Sequence, residues 1–465
     1  MTSARIPLGR VVRWLLLTGL ALIVILFATV GVLYFTRGTP PSVVHAFGEP
    51  TGPPHPGSTA FARTVALLTG TALEPDHRVE PILNGTLFPR LWRDLRSARR
   101  SINIQIYYAT PGAVADTLKA VLLERSTAGV PVRLLYDAFG AAPLTSGWVD
   151  SLQAGGVRVA VFRPVRWYTL HKAQNRSHVR AVVIDGEVGY TGGFGIDDRW
   201  QGDGTQPDAW RETNVRFRGH AVGQLQAAFA TAWAEATGEL LVGPLFFPDA
   251  SSPAADPPLA AGAAAVAERD TARDSADDLP DTRALAGLLY SIPSLGGTSA
   301  GRLLSLLLAG ARERLWLTNA YAVPGPDLRS QLIGAAARGV DVRLIVPGEQ
   351  TDLPIVRNAG RSLYEALLEG GVRIYEYQPT MVHAKTIVAD GVWSVIGSLN
   401  LDNRSLALNE ESVLLVQDPS LGGVMDSLFL ADLGRAEEIR MDSFRQRGWM
   451  VRLREWVAGL WTTLL

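Results

Sequence analysis

Residues Trp14–Thr36 form an unbroken uncharged run (WLLLTGLALIVILFATVGVLYFT), and beyond it short apolar segments alternate with amphipathic ones to the end of the chain. As a helix the run is about 34 Å long, enough to cross a hydrocarbon layer of about 30 Å. It is also longer than the roughly 7–15 apolar residues of a cleaved signal. The pattern therefore predicts one transmembrane helix with Trp14, Tyr34 and Phe35 as interfacial aromatics. Arg5, Arg10 and Arg13 precede the span while Arg37 follows it closely, so the N-terminus is expected in the cytoplasm and the rest of the chain outside. Residues 38–57 carry six prolines, and a semi-rigid spacer is expected over 38–64.

The alternation that follows is a duplication. Ala98-Arg-Arg-Ser-Ile-Asn-Ile-Gln-Ile-Tyr-Tyr108 matches Ala311-Arg-Glu-Arg-Leu-Trp-Leu-Thr-Asn-Ala-Tyr321, each a helix end running into an apolar strand. Val130-Pro-Val-Arg-Leu-Leu-Tyr136 matches Val340-Asp-Val-Arg-Leu-Ile-Val346, and Gly155-Gly-Val-Arg-Val159 matches Gly370-Gly-Val-Arg-Ile374. Apolar strands separated by helical stretches indicate α/β units with a buried sheet. The repeats are expected over 65–249 and 284–435. Residues 250–283, with seven acidic residues against three Arg and no periodicity, read as a solvated linker. The last stretch, 436–465, places Trp449, Trp456 and Trp461 among Arg452 and Arg454, a composition that suits an amphipathic helix at an interface or one packed on the body.

Composition narrows the chemistry. With 44 basic and 45 acidic residues the net charge is −1, so there is no global field to gather nucleic acid, and none is expected as a partner. No cysteine is present, which removes disulfides, zinc–thiolate sites and thiol nucleophiles. Only three of the basic residues are Lys: Lys119, Lys172 and Lys385. The duplication carries His178-Val-Arg180-Ala-Val-Val-Ile-Asp185 in one copy and His383-Ala-Lys385-Thr-Ile-Val-Ala-Asp390 in the other. On a strand, His and the cation two residues later face the same side, so both converge on one phosphate. A glycine-containing turn follows each copy: Thr191-Gly-Gly193, and Gly397-Ser398-Leu-Asn400. The remaining histidines, His45, His55, His77, His171 and His220, read as surface or internally satisfied residues. Tyr108 and Tyr321, on matching strand ends, read as pocket or core.

With Asn175-Arg176-Ser-His178, Trp210-Arg-Glu212, Arg404-Ser405 and Asn409-Glu-Glu411 added, the chain resembles the phospholipase D superfamily, and within it the bacterial cardiolipin synthases. The resemblance implies two phospholipase D-like α/β/α repeats packed with pseudo-twofold symmetry behind the membrane helix. It also implies a phosphatidyltransferase that works through a phosphohistidine, needs no metal or cofactor, and acts on an anionic phospholipid such as phosphatidylglycerol in a bacterial cell membrane. One His would attack and the other protonate the leaving alcohol. Glu212 and Glu411 would orient the imidazoles, while Arg180 and Lys385 would grip phosphate with Ser398, Asn400 and the Gly193 turn. Asp185 and Asp390 would hold the motif together. Copy one departs from the pattern at Arg180, where Lys is usual, and at Gly195, where copy two has Asn400. A phospholipid hydrolase, a nucleic-acid phosphodiesterase and a lipid-binding scaffold are the other readings, and the sequence does not say which His is the nucleophile.

Overall fold

The structure, a computed structural model, describes residues 8–36, 41, 44, 53–164, 174–248, 283–293 and 298–462. The linker expected over 250–283 apart from Arg283, about half of the spacer, Arg5, Arg37, His45 and His171 lie outside the described residues. The first helix, Leu8–Thr36, leaves Leu15, Leu16, Leu20, Leu22 and Phe27 all exposed. A helix whose apolar stretch Gly9–Thr29 buries nothing against the described residues is matched to lipid rather than to water.

Fifteen strands form one continuous sheet. In the first half they are β1 (Glu74–Leu83), β2 (Ile102–Ile106), β3 (Val132–Asp137), β4 (Arg158–Phe162), β5 (Ala181–Ile184), β6 (Val188–Gly192) and β7 (Thr213–Arg218). The second half has β8 (Ala284–Ser291), β9 (Arg314–Asn319), β10 (Asp341–Pro347), β11 (Arg373–Tyr377), β12 (Lys385–Ala389), β13 (Trp393–Gly397), β14 (Glu411–Gln417) and β15 (Ala436–Glu438). Edge to edge the order is β4-β3-β2-β5-β6-β7-β1-β8-β14-β13-β12-β9-β10-β11-β15. Apart from β15 it reads alike from both ends, so a pseudo-twofold axis passes between β1 and β8. Those two strands pair antiparallel, His77 opposite Ala284.

Setting β15 aside, which pairs antiparallel with β11, the outer three strands of each half are parallel and joined by helices such as Ala113–Thr127 and Pro326–Ala337. Both faces are then covered, which is why β2, β5, β6, β12 and β13 are buried along their whole length. The motif strands β5 and β12 each turn back into an antiparallel neighbour, β6 and β13. At these turns Asp185 (φ 57°) and Asp390 (φ 52°) adopt the left-handed conformation. Asp185 accepts from the backbone N–H of Arg99, Arg100 and Ser101 at 2.7–3.1 Å. Asp390 does the same for Arg312, Glu313 and Arg314 at 2.9–3.3 Å. Each motif strand is thus pinned to the start of the neighbouring parallel strand.

The helix Thr59–Thr69 begins inside the stretch expected as a spacer, and it packs on the second half rather than the first. Phe61 meets Trp393 edge-on at 5.7 Å, and Gly310 allows that approach because a Cβ there would lie 2.5 Å from the Phe61 ring. Trp393 Nε1 and Gln417 Nε2 both donate to the Pro56 carbonyl, so the chain leaving the membrane helix is fastened to the distal repeat.

Candidate active site

The histidine of each motif precedes its strand and is held by the other half. His383 N–H donates to the Arg211 carbonyl at 2.7 Å, and His178 N–H donates to the Glu410 carbonyl at 2.9 Å. These equivalent bridges place the next residue in each case against the histidine from the opposite repeat. His383 Nδ1 lies 2.6 Å from Glu212 Oε2, and His178 Nδ1 lies 3.0 Å from Glu411 Oε2. Both imidazoles and both carboxylates are buried. Neither repeat by itself contains an oriented histidine, so the site exists only at the junction of the two. A carboxylate against Nδ1 fixes the tautomer and leaves Nε2 for chemistry.

The cations lie beside this pair. Lys385 Nζ sits 2.8 Å from Nδ1 and 2.9 Å from Nε2 of His383, against the ring, and 5.9 Å from the centre of Tyr321. Arg180 donates to the His178 carbonyl at 2.7 Å and to the Phe194 carbonyl at 3.3 Å, with its guanidinium 5.4 Å from the centre of the Tyr107 ring. Burial lowers both imidazole pKa values well below the ordinary range, and the neighbouring cations add to that. Burial also lowers Lys385 to about 7 and raises Glu411 to about 8. A phosphate anion entering beside these groups would favour the protonated forms of the lysine and of the imidazole that must give up a proton.

The expected phosphate ligands separate. Asn400 is buried, and its Oδ1, an acceptor that does not itself bind an anion, has no hydrogen-bond partner. Ser398 instead donates to Glu411 Oε2 and accepts from the Ser412 N–H at 3.0 Å; its hydroxyl braces a carboxylate. Gly193 matches Ser398 in the other repeat, and a Cβ there would lie 2.5 Å from Glu212 Oε2, so its role is to admit that carboxylate. Asp185 and Asp390 are expected from the resemblance to hold the motif together. They lie past the far ends of β5 and β12, saturated with backbone N–H groups, and so act on the framework rather than on substrate.

The first repeat's departure at Gly195 has a structural cause. Trp200 stands where the second repeat has Ser405, and a Cβ on Gly195 would lie 2.8 Å from its ring. The indole takes the space of the missing asparagine, and its Nε1 donates to Glu212 Oε2 at 3.3 Å. Trp200 and Trp210 wall one side of His383 at 5.3 and 5.1 Å between ring centres, and Tyr107 stands edge-on to His178 at 4.9 Å. Tyr321 lies 5.9 Å from His383, whereas Tyr108 is turned to Trp200 and Arg199. Trp200 and Tyr107 are absent from the sequence reading. Tyr107 adjoins Tyr108 and Trp200 lies five residues from Gly195, but no spacing rule aims either at a histidine on another strand.

The family described as "Cardiolipin synthase, PLD-like domain" matches residues 91–233 and 304–433, the two halves that contribute the histidines. The chain belongs to this family. Among members of the cardiolipin synthase family, it is 33% identical over 380 residues to the cardiolipin synthase of Geobacillus kaustophilus (strain HTA426), covering 81% of this chain and 70% of that one. It is 29% identical over 392 residues to cardiolipin synthase A of Pseudomonas syringae pv. syringae (strain B728a), covering 84% and 75%. The phosphatidylserine synthase of Haemophilus influenzae Rd KW20 superposes with a TM-score of 0.63 at 14% identity, over 87% of this chain and 100% of that one, and shares the fold. A membrane-spanning helix ahead of this paired-histidine core is in keeping with a cardiolipin synthase family enzyme that acts on lipid.

Proposed function

We propose that this protein is a membrane-anchored phosphatidyltransferase that joins two phosphatidylglycerol molecules into cardiolipin and releases glycerol. The observation that carries the reading is the pair of histidines, each oriented by a glutamate from the opposite repeat, with Lys385 and Arg180 beside them. Nε2 of one imidazole attacks phosphorus; the bond from phosphorus to the glycerol oxygen breaks, and the second imidazole supplies the proton that oxygen takes. The hydroxyl of a second phosphatidylglycerol then attacks the phosphohistidine, gives its proton back to the second imidazole, and breaks the P–N bond. Lys385, Arg180 and the Asn400 amide hold charge on the non-bridging oxygens through both steps. One phosphodiester replaces another, so no external energy source is required. The anchor brings this chemistry to its lipid, and the arginines before the span favour a catalytic body on the extracytoplasmic side.

The test is a product assay with the full chain in phosphatidylglycerol vesicles, alongside His178→Ala and His383→Ala. Cardiolipin and glycerol are expected in equal amounts and in neither variant. Phosphatidate without cardiolipin would show that water is the acceptor and overturn the transferase reading.

A further inference from the structure

The C-terminal helix Trp449–Gly459 is fixed to the body along one side only. On that side Glu455, 1% exposed, binds Arg361 Nε at 2.8 Å and Arg447 Nε at 2.6 Å. Ala458 packs into a small apolar cluster with Val323, Val356 and Ala359, and Gly459 lies against Ser362. The opposite side carries Trp449, Leu453, Trp456 and Leu460, which are 49–68% exposed and recur every three or four residues, so they form a single stripe. At 3.6 residues per turn Arg452 and Arg454, both exposed, fall on opposite flanks of that stripe. A stripe this apolar on a helix whose other side is held by a buried ion-pair network is a surface that packing among the described residues does not use.

The stripe is linked to the site. The cluster that seats Ala458 also packs Tyr321, the ring beside His383 and Lys385. Tyr321 donates to Asp352 at 2.7 Å, and the next residues, Leu353 and Ile355, are 43% and 49% exposed where the helix Pro354–Arg361 begins. That helix is the one on which the C-terminal helix lies. We propose that the C-terminal helix, with Leu353 and Ile355, is a second membrane contact that lies in the interface of the anionic bilayer and sets the mouth of the site at headgroup level. Tryptophan and leucine enter the acyl boundary while arginines on both flanks meet lipid phosphates. The bilayer is the occupant because the same chain already carries a lipid-facing helix, and because the arginine flanks complement anionic headgroups. This inference rests on the anchor and the helix geometry, not on the reaction assigned above.

The absence of cysteine makes the test direct. Leu453→Cys, Trp456→Cys, Leu460→Cys, Arg454→Cys and, as an aqueous reference, Asp116→Cys are each labelled with a nitroxide in the full chain. Each is then reconstituted into vesicles of phosphatidylglycerol and phosphatidylethanolamine. Collision rates with oxygen, which concentrates in lipid, and with a soluble nickel chelate are compared. The oxygen-to-nickel ratio is expected to be several-fold higher at 453, 456 and 460 than at 116, with 454 between. A ratio at 453, 456 and 460 equal to that at 116 overturns the proposal. So does shielding of these labels from both reagents, which would mark a protein partner or a second copy. Because the measurement requires no turnover, it stands or falls separately from the transferase activity.

Discussion

Trp200 and Gly195 are two halves of one adaptation, and a double-mutant cycle tests this. An asparagine at 195, as in the second repeat, would place its Cβ 2.8–2.9 Å from Trp200 and 3.2 Å from Tyr108. The indole has nowhere to go, because its ring is already 4.6 Å from Trp210, 5.3 Å from His383 and 5.8 Å from Tyr108. Gly195→Asn alone is therefore expected to lose about 1–3 kcal/mol through overpacking. Trp200→Ser alone empties the same volume and is expected to lose about 3–5 kcal/mol. In the double variant the asparagine enters the vacated space, so about 1–3 kcal/mol of the summed loss is recovered as coupling. For 465 residues at about 2.1 cal/mol/K each, 1 kcal/mol corresponds to about 1 °C of melting temperature. Scanning calorimetry in detergent micelles should place the double variant at or above Trp200→Ser. If instead the two shifts add to within about 0.5 kcal/mol, the steric account of Gly195 is wrong.

Three further outcomes follow from the site. With Lys385 lowered to about 7, its charge is present below that pH and lost above it, so kcat/KM should fall on the alkaline side near pH 7. Lys385→Arg, which stays charged, should remove that limb even where turnover is reduced. The lowered folded value also means the unfolded chain binds more protons between about 7 and 10.5, so stability rises with pH across that window; Lys385→Met should flatten the rise, read by melting temperature against pH. Asp390→Ala removes an acceptor for three backbone N–H groups at a positive φ, and should lower stability by about 2–4 kcal/mol. Its kcat, measured below the melting range, should stay within about threefold of the native value, because the residue acts on the framework.

Much of this was open to reading from the chain because it is local. An uncharged span, apolar strand runs and a repeated His-x-cation pair are patterns within a few residues of one another. What was not readable depends on how the halves meet. The exchange of partners, Glu411 with His178 and Glu212 with His383, follows from the bridges Ser177–Glu410 and Arg211–Val382, which join residues far apart in sequence. The joining strands β1 and β8 passed unremarked because β1 has Pro, Asp and Glu among its apolar positions. Ser398 looked like a phosphate ligand by its place in the turn, and only the nearness of Glu411 shows that its hydroxyl is already engaged. The Gly195 departure was visible in the sequence, but its cause lay five residues away in a tryptophan that no periodicity pointed to.

The central claim is that one histidine of an interface-built pair carries the phosphatidyl group during transfer. The direct measurement is rapid acid quenching of the full chain turning over labelled phosphatidylglycerol, followed by proteolysis and peptide mass spectrometry. The account predicts a phosphoramidate adduct on either His178 or His383, lost when that histidine is replaced and no longer formed when its partner glutamate from the other repeat is changed to alanine. Cardiolipin formation with no adduct on either histidine, or with the label on another residue, would contradict it.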